Sequence, residues 1–232
     1  HMRALGRGLK WVSLGLLGLF LIWQLWLFGW VLFWGWVNPG TTRFMEIRLA
    51  ELRVKKPEAE LKKQWVPYER ISIHLKRAFI AAEDAKFVDH EGFDWEGMQK
   101  ALEKNQKKGR FVAGGSTISQ QLAKNLFLTP NKSYLRKAEE AIITLMLENL
   151  WSKRRIFEVY LNVIEWGNGV FGAEAAARHY FNTSAAQLGP EQAARLAGMV
   201  PNPRFYDKNR GAPGLGRKTG IILGRMPSAE VP

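Results

Sequence analysis

The sequence predicts a mainly α protein, with one membrane-spanning helix followed by a single helical domain. Three observations predict it. An apolar run over residues 11–37, 27 residues long, exceeds the roughly 20 needed to cross a hydrocarbon core. Downstream, apolar residues return at helical spacing in one segment after another. No segment shows convincing strand alternation, and no internal repeat is visible. The rest of the 232-residue chain is the size of one ordinary domain and can bury a core.

The apolar run is interrupted only by Ser13, Gln24 and a few glycines. A cleavable signal peptide would carry an apolar region of about 7–15 residues. The longer run here, with Trp23, Trp26, Trp30, Trp34 and Trp36 suited to interfacial anchoring, predicts a permanent anchor. Arg3, Arg7 and Lys10 precede it without an acidic residue. The positive-inside tendency therefore places residues 1–10 in the cytoplasm and everything after Asn38 outside. His1 before Met2 reads as a cloning remnant.

The formal charge is +13, and +10 once Arg3, Arg7 and Lys10 are set aside. Such a balance favours anionic lipid headgroups, pyrophosphates or nucleic acid, and export argues against nucleic acid. The chain has no cysteine, hence no disulfide, thiolate nucleophile or cysteine-bearing zinc site. His74, His90 and His179 are far apart in sequence and no His-Glu-x-x-His occurs, so metal-ligand spacing is absent.

Residues 38–66 read as a juxtamembrane amphipathic segment, with Phe44, Ile47, Leu49, Leu52, Val54 and Trp65 among lysines, arginines and glutamates. The main domain is expected over 67–232. A helix over 71–85 carries Ile71, Leu75, Ala78, Phe79 and Ala82 on one stripe and ends at Glu83 and Asp84. Acidic groups at a helix C-terminus oppose the macrodipole, a poor place for carboxylates that serve stability alone. Asp94 caps a short helix to about Leu102, and 103–110 reads as a basic, flexible loop. Helices follow near 117–127, 134–150, 153–164, 170–181 and 190–199, with a Ser152 cap and Pro190 in a first turn. The tail after Asp207, with Gly211, Pro213, Gly214 and Gly216, reads as an irregular end.

Two polar strings carry the chemistry. The first runs from Glu83 to Gly92. The second, 114–125, opens on Gly114-Gly115-Ser116-Thr117, where Thr117 and Gln120 fit a capping box, and presents Gln120, Gln121 and Lys124 opposite an apolar stripe. A helix N-terminus with open amides and a lysine two turns on makes a phosphate cradle. Arg136 and Glu140 stand four residues apart with Lys137 adjacent. Spacing alone gives a surface ion pair worth about 0.3–0.5 kcal/mol. Glycosyl transfer from a pyrophosphate needs one base and cations for the leaving group, whereas a glycosidase normally needs two carboxylates. Glu83 and Glu140 satisfy either, and the cations Lys124, Arg136 and Lys137 favour transfer.

The ordered motifs Glu83-Asp84-x-x-Phe87-x-x-His90-x-Gly92, Gly114-Gly115-Ser116-Thr117-Ile118-x-Gln120-Gln121-x-x-Lys124-Asn125, Arg136-Lys137-x-x-Glu140 and Lys153-x-x-Ile156-x-Glu158-x-Tyr160-Leu161-Asn162 lead on to Gly169-x-x-x-Ala173 and to 191–203. Over residues 71–206 the chain thereby resembles the peptidoglycan glycosyltransferases, the transglycosylases of penicillin-binding proteins, and most closely their monofunctional biosynthetic members. The resemblance implies a lysozyme-like helical domain that polymerises lipid II at the outer face of the inner membrane, with inversion at C1 and release of undecaprenyl pyrophosphate. It implies Glu83 as the base on the acceptor 4-hydroxyl and Glu140 as an assistant near the donor pyrophosphate. Asp84, Gly115, Ser116, Thr117, Gln121, Lys124, Asn125, Arg136 and Lys137 are the implied substrate-binding residues. Phe87, His90, Tyr160 and Asn162 are implied to hold shape. The implied cofactor is a divalent cation, Mg or Mn, bridging the substrate pyrophosphate, with no organic cofactor. The implied partners are lipid II, the growing glycan strand, membrane lipids and cell-wall synthesis or division proteins. Lys218-Thr219-Gly220 superficially matches a transpeptidase motif, but no Ser-x-x-Lys occurs and the match is chance. Two other readings compete: a muramidase that cleaves glycan, and an idle membrane scaffold.

Overall fold

Residues 1–109 and 114–232 are described by a computed structural model. They form two units, His1–Asn38 and Pro39–Pro232. The first is a single helix, α1 (Met2–Trp34), long and apolar enough by length and composition to cross a membrane. It takes in the basic residues before the apolar run. Trp23, Trp26, Trp30 and Trp34 touch in sequence along it, with ring centroids 5.2–6.1 Å apart. At about 1.5 Å per residue this ladder extends over roughly 16 Å, so these tryptophans do not share the single level that an interfacial belt requires.

In the second unit α2 (Arg43–Lys55) starts at Thr42, whose hydroxyl accepts the Met45 amide at 3.2 Å. It buries Phe44 and Met45 and packs on α5 (Ile118–Phe127), while Val54 remains exposed. Arg48 Nε donates to Glu165 at 2.8 Å in a largely buried pair that ties α2 to β2 (Glu165–Gly167). Next come α3 (Ile73–Glu83) and α4 (Trp95–Lys108). The helix α4 continues through residues expected as loop, because its lysines, glutamines and Glu103 are good helix formers. Glu96 in its first turn and Lys107 and Lys108 in its last also suit the dipole. Gly109, at φ +66°, ends it with a left-handed turn. Arg110, the last residue of the expected loop, lies outside the described residues.

After α5 follow α6 (Tyr134–Leu150), α7 (Lys153–Val163), α8 (Ala173–Phe181) and α9 (Pro190–Met199). Ser133 and Ser152 cap α6 and α7 through their hydroxyls. A small sheet, unanticipated from the sequence, joins β1 (Lys62–Lys63), β3 (Val170–Phe171) and β2 in the order β1-β3-β2. The β1–β3 pair is parallel, and β2–β3 is antiparallel with a register shift. Strands of two or three residues are too short to show alternation. The signal that could have found them is Asn168-Gly169, a hairpin turn pair with Gly169 at φ +73°. The expected helix over 170–181 consequently starts only at Ala173.

The tail is helical rather than irregular: α10 (Pro203–Lys208) is followed by α11 (Pro213–Arg225). Pro213 suits a first helical turn, and Leu215 and Ile222 are buried where α11 packs on α9. Packing outweighs the cost of the glycines. The core centres on aromatic residues, with Phe79 edge-on to Tyr160 at 5.6 Å and to Trp166 at 5.4 Å. Gly172 sits beside it at φ +85°, and a Cβ there would lie 2.4 Å from the Asn162 carbonyl oxygen. Gly172→Ala is therefore expected to lower stability by about 3 kcal/mol or more, measured as a fall in thermal midpoint.

Candidate active site

The helix α3 opens at Ser72, whose hydroxyl accepts the His74 amide, and buries Leu75, Ala78 and Phe79, so its final residue, Glu83, is fixed by the core. The chain turns at Asp84. Its carboxylate accepts from His90 Nε2 at 2.7 Å and from the Ile118 amide, the first of α5, at 3.1 Å. The Gly92 amide donates to His90 Nδ1 at 3.0 Å, which puts the imidazole proton on Nε2, facing Asp84. Phe87 is fully buried against Phe157. Gly92, at φ +107°, passes so close to α6 that a Cβ would meet Thr144 Cγ2 at 2.9 Å. Asp84 thus lines the cleft while joining the first motif to the second.

The capping box at Thr117 and Gln120 forms. Thr117 is buried, and its hydroxyl accepts the Gln120 amide and donates to the Gly92 carbonyl. The Thr117, Ile118 and Gln120 amides of the expected cradle are thereby taken by Gln120, Asp84 and Thr117. Gly115 runs against α4, where a Cβ would lie 3.0 Å from Met98 Cα. It brings Ser116 to Lys137, whose ammonium donates to the Ser116 hydroxyl at 3.0 Å and to Glu140 Oε1 at 2.6 Å. Arg136 donates to Glu140 Oε2 at 2.7 Å. Glu140 is buried at 2% exposure, so this is a three-member cluster around a buried carboxylate, with Lys137 half-exposed at its rim, and not the surface pair that spacing gave. Arg136 Nε is buried and has no hydrogen-bond partner among the described residues.

Lys124 completes the group. Burial pushes its ammonium below the ordinary lysine range; Glu140 opposes that push, and Arg136 and Lys137 add to it. Gln121, one turn earlier, donates from Nε2 to Glu83 Oε2 at 3.1 Å and accepts from the Tyr160 hydroxyl at 2.9 Å. Asn125 donates to the Gln121 carbonyl at 2.8 Å. Tyr160, expected only to hold shape, therefore orients the amide that holds Glu83. The phenol is wholly buried, and that burial raises its pKa, with Glu83 and Asp84 adding to the rise.

Glu83 keeps part of its surface open to a small cavity of about 70 Å³ shared with Asp84, Ser116 and Thr117. Gln121, Lys124 and Asn125 line a second cavity, of about 240 Å³, together with Arg48 and Asn202. Burial pushes the Glu83 carboxyl above the ordinary glutamate range. The Gln121 hydrogen bond opposes the shift most, followed by Lys218; Asp84 reinforces it and Lys124 opposes it. The sequence offers Lys218 only within the chance Lys218-Thr219-Gly220 match and gives no local signal that places it near Glu83. Among the described residues no three His, Cys, Asp or Glu side chains could hold a common metal ion.

Residues 50–227 match the family model described as Transglycosylase. The chain belongs to this family. The transglycosylase is 86% identical over 231 residues, the full length of both chains, to a protein of Dechloromonas aromatica (strain RCB) named biosynthetic peptidoglycan transglycosylase. It is 64% identical, again over the full length of both, to the protein of the same name from Aromatoleum aromaticum (strain DSM 19018 / LMG 30748 / EbN1). A third of that name, from Herminiimonas arsenicoxydans, is 58% identical over the same full extent. The transglycosylase is thus a glycosyltransferase with a lysozyme-like, mainly helical fold.

Proposed function

We propose that this enzyme polymerises lipid II into the glycan strands of peptidoglycan by inverting glycosyl transfer, with Glu83 as general base. The observation that carries the reading is one partly buried glutamate, held by Gln121 of α5, within electrostatic reach of Lys124 on the same helix, which in turn neighbours Arg136, Lys137 and Glu140. Glu83 takes the proton from the 4-hydroxyl of the acceptor N-acetylglucosamine as that oxygen attacks C1 of the donor N-acetylmuramyl unit. The C1–O bond to the lipid pyrophosphate breaks, and undecaprenyl pyrophosphate of the growing strand departs. Such a leaving group needs charge stabilisation rather than a proton, and Lys124, Arg136 and Lys137 supply it. Glu140 holds Arg136 and Lys137 in place by two ion pairs.

The carboxylates do not fit a resident divalent ion, since Asp84 is engaged by His90 and Ile118 and Glu140 by two cations. Mg or Mn would be brought by the pyrophosphate oxygens of the substrate. We further propose that α1 is a single-pass anchor in the inner membrane, with the N-terminus cytoplasmic and the catalytic unit periplasmic. Its length, its hydropathy and the basic residues Arg3, Arg7 and Lys10 support this.

Incubation of the detergent-solubilised protein with purified lipid II and, separately, with preformed glycan tests the reading. Long strands from lipid II and unaltered preformed glycan are expected. Shortened glycan would give the muramidase reading its place.

A further inference from the structure

One cation at the site belongs to none of the motifs. Lys218 lies on α11 between Leu215 and Ile222, at the spacing of three and four that defines one helix face. That face is the buried one, because Leu215 and Ile222 are at 0% and 5% exposure. A lysine on the inner stripe of a helix requires a partner. Lys218 Nζ donates to the Gly198 carbonyl in the last turn of α9 at 3.1 Å. Gly198 makes the approach possible, since a Cβ there would lie 3.2 Å from Leu215 Cδ1. The helix α3 packs on both α9 and α11, which brings its terminal residue, Glu83, within electrostatic reach of this ammonium.

We propose that Lys218 is a positioning residue of the transfer reaction: fixed by the Gly198 carbonyl, its ammonium favours the ionised Glu83 carboxyl, the form able to accept a proton, against the burial that opposes it. The inference rests on Glu83 being the base. The groups facing Glu83 are Asp84 on its own segment, Gln121 and Lys124 on α5, Tyr160 on α7 and Lys218 on α11. Both lysines favour the ionised carboxyl, and Lys218 sits on a helix that packs directly on α3. It is also the one whose other contact, a backbone carbonyl, is uncharged. Lys124 is shared between Glu83 and Glu140, and the proposed reaction assigns it to the leaving group. A division of labour follows, in which Lys218 serves the base and Lys124, Arg136 and Lys137 serve the pyrophosphate.

The contrasting role is a plain helix cap, with Lys218 satisfying a carbonyl at the end of α9. Lys218→Gln separates the two, because a glutamine amide can still donate to Gly198 but carries no charge. Lys218→Arg retains both features. The test follows the pH dependence of lipid II polymerisation alongside an infrared titration of the Glu83 carboxyl band, identified by its loss in Glu83→Gln. A favourable cation nearby lowers a carboxyl pKa, so removing it must raise both the acid limb and the band's midpoint. A rise of about one pH unit is expected for Lys218→Gln, a tenfold loss of rate at a pH on that limb, with the parent profile retained by Lys218→Arg and thermal midpoints alike. An unmoved band in a folded Lys218→Gln protein would overturn the proposal and leave Glu83 as base untouched. If the parent's acid limb fails to track the Glu83 band, the general-base reading falls instead, and the displacement of the band alone decides the influence of Lys218.

Discussion

Glu83→Gln is expected to lower the initial rate of lipid II polymerisation by about 10³-fold or more while the protein stays folded. General-base transfer contributes roughly 10²–10⁴-fold, and a glutamine retains the shape of the side chain without accepting the proton. The sign of the stability change is also fixed. Burial raises the Glu83 pKa in the folded state. A carboxyl whose folded pKa lies above its unfolded value costs stability at every pH above both, and that cost is absent in acid. The variant should therefore unfold at the same temperature as the parent or higher at neutral pH. For the parent, the same shift puts the acid limb of kcat/KM above the usual glutamate range of about 4.3. Initial rates between pH 4 and 8 with thermal scans of both proteins check the three statements together.

Lys124→Met should cost about 10²–10³-fold in kcat, the loss typical of removing one preorganised electrostatic contact to a transition state. Burial and the neighbouring Arg136 and Lys137 lower the Lys124 pKa. Its charge in the folded protein is therefore a cost at neutral pH, where the unfolded side chain is fully protonated. Methionine fills similar space without that cost, so the variant is expected to gain stability while losing activity. Arg136→Met should behave differently, because it leaves the buried Glu140 with Lys137 as its remaining ion-pair partner. Paired assays of rate and thermal midpoint distinguish these cases. A variant at position 124 that loses stability and activity together would show the lysine to be structural.

The helices legible in the sequence are those whose apolar stripe begins at a clear start signal, a hydroxyl cap or, for α9, Pro190 in the first turn. Thr117, Ser133 and Ser152 mark the starts of α5, α6 and α7 to within a residue. What escaped depends on contacts between distant segments. The helix α11 contains glycines that argue against it locally and forms because its inner face is covered by α9. The sheet is too short for periodicity to register. Within the site, the strings around Glu83 and Gly114 were visible as chemistry, but their internal division was not. Asp84 and Thr117 are polar residues at the right spacing for a ligand, yet they bond to His90, Ile118, Gly92 and Gln120. Glu140 was readable as half of an ion pair but not as buried, because burial comes from the packing of α5 on α6. Lys218 could be found only by folding the far end of the chain back onto α3.

The central claim is that one carboxylate acts as base in a direct displacement, with cations taking the departing pyrophosphate. The measurement that tests it most directly is the anomeric configuration at C1 of the newly formed linkage, read by NMR on short products and compared with that of the lipid II donor. Inversion is expected in every new linkage. Retention would require a covalent glycosyl-enzyme intermediate and a second carboxylate acting as nucleophile, and would contradict that claim.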